Sequence, residues 1–241
     1  MNPSSRPSAL HRVVIVGGGF TGASAAVQLV RRSRLPLAIT IIDPAERAGR
    51  GLAYHASDPD HRLNAPSYVH SLLPDDAWHF SRWCHASGQL ERDPQALRPD
   101  GALYIRRTEF GRYIEETLQA HALWPATGST ITHLRDRAIE LSPSGLALHV
   151  TTAGGHTLPA ELLFIATGNP LPRLQRPFAP ALAAHRAVIE NPLDTPRLWQ
   201  IAPQARVLLV GSGLTALDVL STLVRRQHRG EILVVSRRGL R

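Results

Sequence analysis

Gly17, Gly19 and Gly22 stand in the order G-x-G-x-x-G, directly after the apolar run Val13–Val16 and directly before a segment of helical periodicity, residues 20–32. Glycine at those three places suits the binding of a dinucleotide. The first permits a tight turn, the second lets the backbone reach a pyrophosphate with no Cβ in the way, and the third lets helix and strand pack closely. The free N–H groups at the helix start, around Phe20 and Thr21, would face the anion. Asp43 closes a second apolar strand, Ala38–Ile42, about 20 residues further on, where a carboxylate can accept hydrogen bonds from an adenosine ribose.

The same device recurs near the end of the chain. "RVLLVGSGLTALD", Arg206 to Asp218, repeats "RVVIVGGGFTGAS", Arg12 to Ser24, almost position for position. Here Gly211 and Gly213 are followed by Thr215 at the helix start and by Ala216 in place of the third glycine, a variant the pattern tolerates. The following helix is expected to bury a stripe of Leu214, Leu217, Leu220, Leu223 and Val224, and the next strand, "EILVVS", ends at Ser236. No acid stands there. Arg237 and Arg238 follow, with Arg237 placed to grip a 2′-phosphate and Ser236 to donate a weaker hydrogen bond to it. The alternative is a basic strand end facing solvent. The functional expectation is an acid for a plain ribose at the first turn and an arginine for a phosphorylated ribose at the second.

These residues must be held by an α/β framework. Val13–Val16, the helix Phe20–Arg32 and Ala38–Ile42 form a βαβ opening. The stretch from Arg50 to about Asp100 is irregular, with one helix expected around Asp76 to Ser87, and is too long for a simple connection, so it reads as a functional insertion packed on the sheet. A helix follows from a capping Thr108, with Phe110, Tyr113, Ile114 and Leu118 on one face. Alternating segments at Ile131–Leu141, Ala147–Thr152 and His156–Leu158 predict an antiparallel meander, and "LLFIATG", Leu162–Gly168, a further buried strand. The domain boundaries expected from this are a loose tail over 1–11, a first Rossmann-like domain over 12–172, a proline-rich connector over 173–204, and the start of a second Rossmann-like domain over 205–241.

Composition removes several classes. The 241 residues carry one cysteine, Cys84, so no internal disulfide framework exists and a reducing cytosol fits best. No apolar run of 18 residues is present to span a membrane, and the polar, proline-broken start "MNPSSRPSALHR" is not a signal peptide. The net charge of +8 is all arginine, without a single lysine, and is scattered; the short clusters at Arg31, Arg32 and Arg34 and at Arg225 and Arg226 fall on helix ends, where cations suit the macrodipole. That distribution argues against nucleic-acid binding. His79, Cys84 and His85 match no zinc spacing, so no metal is expected, and Cys84 reads as a buried small hydrophobe. No nucleophile-elbow serine or P-loop lysine is present, and no catalytic acid or base can be named.

Taken together, "VVIVGGGFTGASAAVQL", "GRGLAY", "RLNAPS" with "LLPDDAWHFSRW", "LLFIATGNP", and "GSGLTALDVLSTL" with "VVSRRGL" resemble the bacterial FAD/NAD(P)-binding oxidoreductases. These are flavoproteins with two dinucleotide domains, distantly similar to the flavin-dependent N-hydroxylating monooxygenases. The resemblance implies FAD at the first turn, with Gly17, Gly19, Gly22 and Asp43 on its adenosine diphosphate and Thr167 and Gly168 near the flavin. It implies NADP(H) at the second turn as the flavin's reductant. "RRTEFGRY", Arg106–Tyr113, resembles the arginine-then-helix element ahead of the substrate region in those monooxygenases. The chain stops at Arg241, just past the second strand of the second unit, whereas the resemblance implies further strands and a segment returning to the flavin. The expectation is therefore a fragment or truncated form that exposes apolar sheet surface. Two functions remain: a flavin-dependent NAD(P)H oxidoreductase, and a dinucleotide-binding or regulatory module without turnover. Substrate and oligomeric state are not legible.

Overall fold

The computed structural model describes residues 10–55, 58, 61–123, 127–145, 147–174, 182, 185–237 and 239. Most of the expected tail, part of the connector, and Arg238 lie outside the described residues. The chain opens with β1 (His11–Val16), α1 (Phe20–Arg32) and β2 (Leu37–Ile42), joined right through as a parallel pair from His11 beside Leu37 to Val16 beside Ile42. From Val13 to Val16, and over β2 apart from Thr40, the two strands are apolar because both faces are covered there, as parallel sheets require. Val13 and Ile15 face the helices, and Val14 faces the opposite layer.

The sheet has four parallel strands in the order β3-β2-β1-β7, with β3 at Thr130–Leu134 and β7 at Leu162–Ile165. Three more strands, β4 (Ala138–Ser144), β5 (Ala147–Thr152) and β6 (Thr157–Ala160), form the antiparallel meander. Two expectations need correcting here. The run Ile131–Leu141 is not one meander strand: its first half pairs parallel with β2, the chain turns at Asp136, and only then does the meander begin. Alternation reveals a half-buried strand but not its partner. β7 also stops at Ile165 and is an edge strand, with Ile165 69% exposed, instead of a buried one.

Layers form on both sides of this sheet. On one, Ala23, Ala26 and Val27 of α1 and Phe110, Tyr113 and Ile114 of α5 (Arg107–Leu123) share a core with Phe80 and Cys84 of α3 (His79–Ala86). The irregular stretch also contributes α2 (Gly51–Tyr54) and α4 (Gln89–Arg92). On the other side, Val150 and Ala160 of the meander cover Val14 and Ile42. α5 starts at Arg107, so Thr108 lies within its first turn and is not the residue ahead of it. Burial pushes the Cys84 thiol up to about 12, which suits a packing residue.

The last part of the chain adds α6 (Thr195–Trp199), β8 (Val207–Val210), α7 (Leu214–Arg225) and β9 (Ile232–Val235), with β8 and β9 parallel. Its core is Leu198, Val219 and Leu223, packed on Val207, Leu209 and Ile232. The expected stripe on α7 is therefore corrected: Val219 and Leu223 are buried, while Leu214, Leu217 and Val224 are exposed. The two-stranded sheet covers only one side of the helix. On the opposite face of that sheet Leu208, Val210, Leu233 and Val235 are exposed.

Among the described glycines the closest approach lies at the β1–α1 junction, where a Cβ on Gly22 would sit 1.9 Å from the carbonyl oxygen of Gly17. That carbonyl cannot easily retreat, because the Gly17 N–H is held 2.9 Å from the Ile42 carbonyl. Gly22→Ala should therefore cost about 2–3 kcal/mol. Urea unfolding measures it, and a loss below about 0.5 kcal/mol would mean the junction is loose.

Candidate dinucleotide-binding site

At the end of β1 the chain turns through Gly17, whose φ of +106° is one that side chains rarely adopt. The Gly17 position also abuts the chain leaving β7: a Cβ there would lie 2.2 Å from the Ala166 oxygen and 3.1 Å from the Thr167 nitrogen. Gly17, Thr167 and Asp43 are thus brought to one place, Asp43 following the β2 residue paired with Val16. Gly168 follows with φ +72° and is exposed. Gly19 precedes α1, with no side-chain cap and no acid in the first turn. The amides around Phe20, Thr21 and Gly22 have no intrahelical acceptor, so positive potential collects there.

This turn is wrapped from outside. Asp43 Oδ2 accepts the Gly18 N–H at 2.6 Å and Oδ1 accepts the Ala45 N–H at 2.8 Å. Gly49 donates its N–H to the Gly18 oxygen at 2.6 Å, and Gly51 lies against Gly19 so closely that a Cβ on Gly51 would be 3.0 Å from Gly19 Cα. The wrap is anchored by Glu115 on α5. Its buried carboxylate receives Arg47 Nη1 at 2.9 Å and Arg50 Nε at 2.8 Å, and Gly49 packs against its backbone. Burial alone would raise the Glu115 carboxyl; the hydrogen bonds from Arg50 and Arg47 outweigh it and hold the group below its ordinary value.

The second turn copies the first in its backbone. Gly211 has φ +117° and donates to the Val235 carbonyl at 2.7 Å, as Gly17 does to Ile42. Gly213 precedes α7 at φ −80° and ψ −175°, against −73° and −166° for Gly19. Val210 pairs with Val235 as Val16 pairs with Ile42, so Ser236 stands at the register position of Asp43. The surroundings differ. Apart from its chain neighbours, no atom of the described residues lies within 4 Å of a Cβ built on Gly211 or Gly213; Thr215 and Arg237 are exposed, and Ala216 is half-buried. Ser236 Oγ is buried without a hydrogen-bond partner among the described residues.

The FAD-NAD(P)-binding family model matches residues 14–170, well over half the chain. The chain belongs to this family. The meander, the first turn and all of the four-stranded sheet but the first residues of β1 fall within the matched span, whereas the second turn lies beyond it. No curated protein matches. Among solved structures, the ornithine N-hydroxylase of Kutzneria sp. 744 is similar at a TM-score of 0.65 and 18% identity, over 95% of this chain and 53% of its own. The ornithine hydroxylase of Pseudomonas aeruginosa also gives 0.65 at 18% identity, over 94% and 54%. A mutant flavin monooxygenase from Stenotrophomonas maltophilia gives 0.58 at 19% identity, over 95% and 58%. At such identities the likeness is one of fold, the α/β Rossmann type of the flavin monooxygenases. The chain spans a little over half the length of these structures.

Arg47, Arg50 and Glu115 were missed by sequence reasoning, although an acid among the apolar positions of α5 was a usable signal. Among the described residues, no three His, Cys, Asp or Glu gather as a metal site, and no helix is long and apolar enough to cross a membrane. The clamp predicts a pH signature. A folded-state pKa below the unfolded one stabilises above the unfolded value, and that stability is lost as pH falls through the folded one. Glu115→Gln should unfold at lower urea at pH 7 and show a flatter loss of stability below about pH 5 than the parent. Parallel acid limbs for the two proteins would contradict it.

Proposed function

We propose that the chain is the nucleotide-binding part of a flavin-dependent, NAD(P)H-using oxidoreductase of the monooxygenase type. One observation carries this reading: two turns of the same backbone geometry, with Asp43 and Ser236 at equivalent register positions and Arg237 next to the latter. In this reading the FAD-binding unit comprises residues 12–172, the connector 173–204 and the NADP(H)-binding unit 205–241.

The residues suit the groups assigned to them. Gly17, Gly19, Phe20, Thr21 and Gly22 offer an uncapped helix start to the FAD pyrophosphate. A Cβ on Gly19 would meet nothing nearer than Gly51 Cα at 3.4 Å, so the chain's own packing does not demand glycine there, whereas a phosphate approaching the backbone would. Asp43 would accept from the ribose with the acceptor sites left beside its two backbone bonds, and Thr167 and Gly168 would lie toward the flavin. At the second turn, Gly211, Gly213, Thr215 and Ala216 would receive the other pyrophosphate, with Ser236 and Arg237 on a 2′-phosphate. When bound, the flavin would supply the two-electron redox chemistry, with the nicotinamide as its reductant. The substrate would be a small molecule, and a cytosolic setting suits the single buried thiol.

A module that binds dinucleotides without turnover is the second reading, since two turns of this geometry serve binding alone equally well. Flavin bleaching on addition of NADPH under anaerobic conditions separates the two readings.

Gly19→Ala should leave the urea midpoint unchanged while weakening FAD about tenfold or more. A variant that binds FAD as the parent does would remove the pyrophosphate from this turn. At the second turn, Arg237→Ala should weaken NADP+ by roughly tenfold to a hundredfold and leave NAD+ nearly unaffected, because it deletes one charge-assisted contact to the extra phosphate. Equal losses for both nucleotides, measured by calorimetry, would mean that Arg237 only faces solvent.

A further inference from the structure

α7 carries Asp218, Thr222 and Arg225 at i, i+4 and i+7, a polar stripe beside its apolar face. All three reach residues that follow the first turn in sequence by some 40 to 90 positions. The Thr222 hydroxyl donates to Asp58 Oδ2 at 2.7 Å, and Arg225 Nη2 donates to the same oxygen at 2.7 Å. His61 Nε2 is 3.1 Å from both the Asp218 carbonyl and Thr222 Oγ1. Because the Thr222 proton goes to Asp58 and a carbonyl only accepts, Nε2 carries the His61 ring proton. Arg107 Nη2 forms an ion pair with the Asp218 carboxylate at 2.8 Å. Arg107 is itself fixed, its N–H bonded to the His61 carbonyl and its Nε to that of Arg62. Asp58, His61 and Thr222 are all but inaccessible to solvent.

The character of this joint matters. The apolar cluster of α7 and the core around α1 and α5 share no residue. Hydrophobic contact is non-directional, whereas hydrogen bonds are sensitive to angle, so a joint made of them fixes a bearing. It can also open while leaving both apolar clusters intact. We propose that Asp58, His61 and Arg107 form a latch that sets the bearing of α7, and with it the Gly211–Gly213 turn, on the unit carrying the first turn. These are positioning residues, and the inference depends on neither cofactor assignment.

A two-stranded sheet with a helix is marginal alone, so loss of the latch should register as faster local opening. The test is amide hydrogen exchange by mass spectrometry on the 241-residue chain. Thr222→Val keeps the side-chain shape but removes the hydroxyl, and it should speed exchange in α7, β8 and β9 about tenfold while leaving β1, α1 and α5 as in the parent. Thr222→Ser should restore the parent pattern. Asp218→Asn, which weakens the pair with Arg107, should act in the same direction and carries the test if the valine variant does not fold. Acceleration spread evenly over both units, no acceleration at all, or failure of serine to restore protection would overturn the latch.

Discussion

A missing methyl group governs the site end of this protein. At Gly22 the first helix comes so near the strand it follows that a Cβ would lie 1.9 Å from the Gly17 oxygen. That approach aims the start of α1 along the end of the central strand, so that its uncapped amides open beside Gly17, Asp43 and Thr167. Gly17 is constrained from a second direction by the backbone leaving β7 at Ala166. Three chain segments meet there with no side chain between them.

What distinguishes the two turns is the structure around them. The first is held by backbone hydrogen bonds to Asp43 and Gly49, and the segment supplying Gly49 is tied to α5 through a buried acid and two arginines. A buried carboxylate is costly unless paired and hydrogen-bonded, and Glu115 has both. The second turn shares the backbone conformation but has open space around its glycines. In the proposed latch, its position relative to the first is set by the polar stripe of α7.

Local patterns were legible in the sequence where local physics decides the outcome. The helix 20–32 has its expected bounds, since a glycine turn starts it and Ser33 ends it, and the strand pair around it follows from apolar runs too short for helices. Legibility failed where partners are distant. Nothing near Thr130 says that it joins β2, and the outward leucines of α7 could not be told from its inward ones without knowing that a single thin sheet lies beneath. Glu115 finds Arg47 and Arg50 more than 60 residues away, and Thr222 finds Asp58 across 164. Such pairings carry no periodic signal, because they depend on how finished elements dock.

In the proposed reading, two turns with different strand-end residues would be two sites with different nucleotides, and that is measurable directly. FAD is titrated into the chain and followed by flavin fluorescence, first alone and then with NADP+ at saturation. Separate sites require one equivalent of FAD to bind with the same midpoint in both titrations. A midpoint that climbs in proportion to the NADP+ present would contradict this, since both nucleotides would then be competing for one turn.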